Sequence, residues 1–187
     1  MGFYVIDGLD GSGKDTQAYM LMEYLSRNGH EAILRIHPAS DSIFGRASKR
    51  ALMGRGPIWR TAATVFYGLD VFRSLLLYYR DGRDVIFVRY TMACAYLPRP
   101  LVKPTYSLVS LILPRSPNMF FLDVEPGEAL RRIHLRGNGR EMFESLEHLR
   151  KNRERALLIT DGWKVVDGNG TPGQVFEQII GFLSNVK

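Results

Sequence analysis

The chain has 187 residues, of which 45% are hydrophobic, and a formal net charge of +6 at pH 7. This length and composition suit one globular domain over 1–187, and no apolar run approaches the ~20 residues of a membrane span. The lone cysteine, Cys94, excludes an internal disulfide and a cysteine metal cluster. Because the first predicted strand begins within residues 1–7 and leaves no room for a signal peptide, we expect a cytoplasmic protein with no membrane partner.

The first predicted strand, Phe3 to Ile6, is followed by a glycine-rich loop and then by apolar residues at helical spacing. The loop consists of Gly8, Leu9, Asp10, Gly11, Ser12, Gly13, Lys14, Asp15 and Thr16. Its spacing matches the Walker A pattern, except that Asp15 stands where the pattern has Ser or Thr. Glycines let successive N–H groups converge on an anion, and the following helix adds a positive N-terminus. The sequence therefore predicts a nucleotide phosphate site; the alternative is a turn that only joins strand to helix.

The second predicted strand covers Ala32 to Ile36, and Asp41 is the predicted cap of a short helix that ends near Leu52. A long helical pattern then runs from Trp59 to Tyr79. The third strand, Val85 to Val88, has no polar residue, as expected for a strand buried on both faces of a parallel sheet. Four prolines between Tyr90 and Pro117 predict a broken helix and loops.

The remaining pattern continues to alternate. Strands are predicted over Asn118 to Val124 and Trp163 to Val166, and helices over Glu128 to Leu135, Glu144 to Ile159 and Val175 to Leu183. Five apolar strands separated by helices indicate an α/β three-layer sandwich with a five-stranded parallel sheet and right-handed crossovers. Its ligand should lie on the loop at Gly8.

The positive charge is concentrated in arginines between positions 131 and 155, without the interleaved aromatic residues of a single-strand binding platform. This distribution favours the phosphates of small molecules over nucleic acid. The alternative to a protein that binds small phosphate compounds is a P-loop ATPase that acts on nucleic acid. Only the net positive charge supports that alternative.

Further segments match one family in order and spacing. They are His37-Pro38 with Gly45-Arg46, Phe66 to Asp70, Val88-Arg89-Tyr90, Ala95-Tyr96, Leu122-Asp123-Val124 with Ala129 to Ile133, and Val166-Asp167 with Val175. Over nearly its whole length the chain resembles the thymidylate kinases, a family of P-loop nucleoside monophosphate kinases. The resemblance implies the P-loop NTPase fold, ATP and Mg²⁺ as cofactors, and transfer of the ATP γ-phosphoryl group to a (deoxy)nucleoside monophosphate, with dTMP to dTDP as the first choice. It also implies a homodimer formed through the helix at Trp59 to Tyr79.

The resemblance also implies roles for particular residues. Catalytic roles fall to Lys14, Arg89, Arg136 and Arg140; ATP binding to Gly8, Leu9, Asp10, Gly11, Ser12, Gly13, Lys14, Asp15, Thr16 and Arg131; acceptor binding to Asp10, Phe66, Tyr67, Asp70, Arg73, Arg89 and Tyr96; and metal binding to Asp15. Arg89 follows a strand, where open α/β sheets place ligands, and can hold a phosphate with two parallel hydrogen bonds. Arg136 and Arg140 flank Gly137 to Gly139 in a short lid near 136–144. The alternatives are a local turn cap for Asp10, a solvated basic loop for the two lid arginines, and core packing for the aromatic residues.

Three departures from the family pattern bear on activity. Val88 replaces the acid of the family's D-R-Y triplet, Asp15 replaces the loop hydroxyl, and Asp70 stands where the family has an arginine, with Arg73 one turn away. Asp15 is either a metal ligand that compensates for Val88 or a helix cap. The alternative function is an ATP-binding regulator or pseudoenzyme with little transferase activity.

Overall fold

The strands of this computed structural model, which describes residues 1–54, 56–135 and 145–184, form one parallel sheet. They are β1 (Phe3–Gly8), β2 (Ala32–Ile36), β3 (Asp84–Val88), β4 (Asn118–Asp123) and β5 (Lys164–Asp167). Their order in the sheet is β2-β3-β1-β4-β5, with all pairings parallel. The five-stranded parallel sheet predicted from the apolar runs is therefore confirmed, with β1 at its centre.

Helices connect the strands. They are α1 (Lys14–Arg27), α2 (Ile43–Leu52), α3 (Pro57–Tyr78), α4 (Arg99–Ile112), α5 (Pro126–Leu135), α6 (Leu146–Leu157) and α7 (Pro172–Ser184), with a short 3₁₀ helix at Met92–Tyr96. No helix within the described ranges is both long and apolar enough to cross a bilayer. The predicted lid near 136–144, with Arg136 and Arg140, lies outside the described residues.

Two apolar cores cover the two faces of the sheet. On one face Phe87 belongs to a cluster with Val71 and Leu75 of α3, Val102 of α4 and Ala156 of α6. On the other face Ile86 and Val88 pack with α1 and α7, through Ala18, Leu21, Val175 and Ile179. Because adjacent strand residues point to opposite faces, β3 is apolar from Val85 to Val88, after Asp84 at its start. The three layers of the predicted sandwich are thus confirmed, and Val88 is a fully buried core residue.

The predicted cap of α2 is wrong by one residue. Ser42 is the N-cap, and its Oγ accepts a hydrogen bond of 3.3 Å from Gly45 N. Asp41 instead accepts two hydrogen bonds of 2.8 Å from the Arg35 guanidinium. A paired guanidinium binds a carboxylate more strongly than one backbone N–H does, so Asp41 joins β2 to the loop before α2.

The prediction of a broken helix and loops from Tyr90 to Pro117 holds only in part: the 3₁₀ helix and irregular residues precede α4, but α4 itself is a continuous helix of 14 residues. Pro98 and Pro100 lie at its N-terminus, where missing N–H groups have no helical partner to lose. The helix is held by its buried face, on which Tyr106 accepts a hydrogen bond of 2.7 Å from Trp163 Nε1. Tertiary packing therefore outweighs the unfavourable Pro104 inside the helix.

Candidate functional site

The loop between β1 and α1 has the backbone conformation of an anion cradle. Gly11 and Gly13 have backbone φ values of 79° and 87°, which residues other than glycine rarely adopt. A Cβ atom on Gly11 would lie 2.5 Å from the carbonyl oxygen of Ala129 in α5. The Ser12 hydroxyl is buried and has no hydrogen-bond partner among the described residues. The loop therefore excludes a side chain at position 11 and holds a buried polar atom that a phosphate oxygen could satisfy.

Lys14 is the first residue of α1, and its side chain is 4% exposed. The ammonium group donates a hydrogen bond of 2.9 Å to Leu9 O and lies 3.4 Å from Asp10 Oδ1. A buried ammonium needs compensating oxygens, and the loop supplies them from its own backbone and carboxylate. The cation is thus held inside the loop beside the N-terminus of α1.

Asp10 joins three of the predicted site residues. Its Oδ1 accepts hydrogen bonds from Lys14 and, at 3.2 Å, from Arg89 Nη2, while its Oδ2 accepts one of 2.9 Å from the Tyr96 hydroxyl. Ile6 pairs with Val88 in the sheet, so β1 and β3 end side by side and Arg89 emerges next to the loop. The structure therefore brings together Lys14, Asp10, Arg89 and Tyr96 from four segments of the chain.

Arg89 has a left-handed backbone conformation, with φ of 59°. Its Nη1 lies 3.6 Å from Asp15 Oδ1, so two carboxylates flank the guanidinium. Burial disfavours the charged form of Arg89, but Asp10 and Asp15 outweigh burial and raise its pKa. Positive φ is costly for a residue with a side chain and is concentrated at functional sites. The end of β3 therefore holds a permanent cation aimed at the loop.

Asp7 is a functional candidate that the sequence analysis did not identify. It is almost fully buried at the end of β1, and its two oxygens accept hydrogen bonds from Gly8 N at 2.9 Å and Tyr90 N at 2.8 Å. Burial raises the pKa of this carboxyl group, against the effect of the two backbone donors. Asp7 fixes the start of the phosphate loop relative to the end of β3. Its position directly before Gly8 was the signal in the sequence.

A pocket of about 380 Å³ opens on the other side of the loop, lined by Ser12, Thr16, Arg131, Arg132 and Pro172 among others. Arg131 donates two hydrogen bonds, of 2.7 and 2.8 Å, to Glu128, and Arg132 contacts the same carboxylate at 2.7 Å. Hydrogen bonds from Arg131 and Arg132 hold the pKa of Glu128 at about 2. Arg132, which also donates to Gly168 O at 2.9 Å, was not predicted as a site residue. The pocket is large enough for part of a nucleotide and has cations on its wall.

The predicted acceptor residues of α3 differ in their surroundings. Phe66 is partly buried, and Tyr67 donates a hydrogen bond of 3.1 Å to Tyr90 O. Asp70 is fully buried and accepts a hydrogen bond of 2.7 Å from Ala39 N. Arg73 is partly buried, and its Nη1 has no hydrogen-bond partner in the described part of the chain. Tyr67 is thus tied to the end of β3, whereas Asp70 fastens α3 to the loop after β2.

Cys94 is buried and unpaired, and burial raises its pKa to about 11. It is therefore a protonated thiol at neutral pH, which agrees with the prediction of a small buried residue rather than a nucleophile.

A parallel sheet with a Walker A-type loop at the end of its central strand, and an arginine at the end of the adjacent strand, defines a P-loop nucleotide-binding protein. The sequence model of the thymidylate kinase family matches residues 6–179. The chain belongs to the thymidylate kinase family, as the sequence motifs predict.

Relatives and one solved structure agree with this assignment. The chain is 29% identical to a probable thymidylate kinase of Pyrococcus abyssi over 98% of its own length and 96% of the relative's. It is 30% identical to a probable thymidylate kinase of Pyrobaculum aerophilum, over 100% and 98% of the two lengths. A solved structure of thymidylate kinase from Candida albicans has the same fold, with a TM-score of 0.76, 21% identity, and coverage of 98% of this chain and 91% of that one.

Proposed function

We propose that the protein transfers the γ-phosphoryl group of ATP to dTMP, which yields ADP and dTDP. The observation that carries the proposal is the cluster of Lys14, Asp10 and Arg89, held in hydrogen-bond contact between the donor pocket and the end of β3. Membership of the thymidylate kinase family supports the same reaction. Phosphoryl transfer needs little covalent chemistry from the protein, so positioning and charge supply the catalysis.

The donor phosphates fit the loop. The unpartnered Ser12 hydroxyl and the backbone at Gly11 and Gly13 would bind them, and Lys14 would leave Leu9 O to contact the outer phosphates. The pocket beside Thr16 and Arg131 would take the nucleoside part of ATP. In this arrangement Arg131 needs only a rotation away from Glu128 to add its charge.

The acceptor would lie on the opposite side of Asp10. Arg89 would hold its phosphate, since a guanidinium binds phosphate through two parallel hydrogen bonds. Tyr96 would lie beside the sugar, and Phe66 or Tyr67 would pack on the base. Asp70 and Arg73 are proposed as polar groups on the α3 side of the base. Asp70 is fully buried, so it would contribute its charge from the interior.

The residues of the loop also fit Mg²⁺. This ion usually takes one or two carboxylates and completes its coordination with phosphate oxygens and water. Within 1–54, 56–135 and 145–184 no three His, Cys, Asp or Glu side chains cluster. Asp15 is the proposed protein ligand. When bound, Mg²⁺ would neutralise charge on the phosphates.

Three further expectations stay predictions. Arg136 and Arg140 would bring positive charge to the transferring group from a lid. The homodimer would form through α3, whose exposed face carries Val65, Leu69, Phe72 and Leu76 at helical spacing. The cytoplasmic location also stays a prediction.

The test is ADP release measured by a coupled assay with ATP, Mg²⁺ and a panel of deoxynucleoside monophosphates. We expect acceptor-dependent ADP with dTMP as the best acceptor. Lys14→Ala should abolish this turnover without lowering the melting temperature by more than a few degrees. ATP binding without acceptor-dependent turnover would replace the proposal with a regulator. Stimulation by polynucleotide alone would replace it with a nucleic-acid-dependent ATPase.

A further inference from the structure

The two carboxylates beside Arg89 are held very differently. Asp10 accepts hydrogen bonds from Lys14, Arg89 and the Tyr96 hydroxyl, so three donors fix its position. Asp15 Oδ1 lies 3.6 Å from Arg89 Nη1, which is an ion pair but beyond hydrogen-bond distance. That oxygen is buried and has no hydrogen-bond partner among the residues described, although the side chain as a whole is 42% exposed.

This asymmetry matters because Arg89 has few ways to hold a phosphate. Two parallel N–H groups of a guanidinium are needed for a bidentate phosphate, and one of the two N–H groups of Nη2 is already bonded to the fixed Asp10. A phosphate that reaches the Nη1 side would therefore approach the Asp15 carboxylate. Like charges at such a separation repel, and a phosphate dianion carries about twice the charge of the carboxylate.

Of the two carboxylates beside Arg89, Asp15 is the one that a phosphate can displace. Electrostatic attraction to Arg89 holds it, whereas moving Asp10 would break several hydrogen bonds. Asp15 also lies in the first turn of α1, where the helix N-terminus stabilises a carboxylate that has left its partner. Its side chain is 42% exposed, so solvent borders it on the side into which it would rotate.

We propose that the Asp15 carboxylate occupies the position of the acceptor phosphate in the free protein, and that the acceptor phosphate displaces it from Arg89. This inference rests on the proposed function. Asp15 is then a specificity residue: it neutralises Arg89 until a ligand with enough negative charge replaces it. The displaced carboxylate would lie at the start of α1 near the donor phosphates, where Asp15 would help to hold Mg²⁺. The unusual residue at this position of the Walker A pattern thereby links the acceptor and donor sides.

The experiment measures equilibrium binding by titration calorimetry, without ATP and without Mg²⁺. The ligands are dTMP and, by competition against dTMP, thymidine, which lacks the phosphate. Asp15→Asn keeps the shape of the side chain and removes its charge. We expect Asp15→Asn to bind dTMP roughly five-fold more tightly than the wild type, the range of a partly exposed ion pair, and thymidine with unchanged affinity. The control is Asp81→Asn, which removes another carboxylate paired with one arginine, Arg83, before the opposite end of β3.

Each outcome decides something. Unchanged or weaker dTMP binding by Asp15→Asn, beside normal binding by the wild type, would overturn the displacement and leave the proposed function standing. An equal gain for thymidine would also overturn it, because the effect would not involve the phosphate. If the wild type binds no dTMP, both proposals fail. Should Asp15→Asn fold poorly in a thermal melt, Asp15→Ser, the residue type of the usual pattern, replaces it with the same expected ratio.

Discussion

Acid should destabilise this protein through one buried histidine. His37 is fully buried, and its ring packs edge-on against Phe87 with centroids 4.9 Å apart. Neither ring nitrogen has a hydrogen-bond partner in the described residues. Burial lowers the pKa of His37 from 6.5 to about 4; the nearby Asp70 opposes this shift, and Arg35 adds to it. The folded protein therefore keeps His37 neutral at a pH where the unfolded chain would protonate it.

The sign and size of the change in unfolding free energy with pH follow from the difference in the pKa of His37 between the folded and unfolded states. Because the pKa is lower in the folded state, the unfolded state binds the proton first as the pH falls below 6.5. The contribution of His37 to the free energy of unfolding is complete above pH 6.5 and is lost progressively until about pH 4. A shift of 6.5 − 4 = 2.5 units corresponds to about 3 kcal/mol at 1.36 kcal/mol per unit.

The assay is urea unfolding followed by circular dichroism at several values between pH 7 and pH 4. His37→Leu has a similar volume and cannot titrate. The stability of the wild type relative to this variant should therefore fall by about 3 kcal/mol across that range. The control is Ile86→Val, a core substitution at the residue before Phe87, which His37 contacts. The difference in unfolding free energy between the wild type and Ile86→Val should not depend on pH. A pH-independent difference for His37→Leu would refute the assignment of the buried neutral histidine.

Three further results are expected. Gly11→Ala should lower the melting temperature and weaken ATP binding at least ten-fold, because its Cβ would meet Ala129 O in a strained backbone; Gly68→Ala, which has open space in α3, should do neither. Arg136→Ala and Arg140→Ala should each lower kcat more than they raise KM for ATP, and an effect on KM alone would leave a solvated basic loop. Leu69→Glu should convert a dimer into monomers in light scattering, whereas Tyr19→Glu on α1, across the sheet, should not; dimers that persist in Leu69→Glu would exclude the α3 interface.

Local patterns were enough to predict the fold and the position of the loop. The run Val85 to Val88 indicated a strand buried on both faces, and β3 has that environment. The glycines at 11 and 13 indicated a backbone that only glycine adopts readily, and both have positive φ. These properties follow from side-chain period and backbone sterics, which neighbouring residues decide.

Contacts between distant segments were decided only by the tertiary structure. The Tyr96 hydroxyl meets Asp10 across 86 positions of sequence, and Asp7 receives the N–H of Tyr90 across 83. The helix α4 depends on burial of Val102 and Tyr106, which outweighs the unfavourable Pro104 inside it. The sequence allowed Asp15 to be a metal ligand or a helix cap, and only the adjacent ends of β1 and β3 place it beside Arg89. The crossover connections decide which hydrogen-bond donors lie near a carboxylate. The residues next to that carboxylate in the sequence therefore do not reveal its partner.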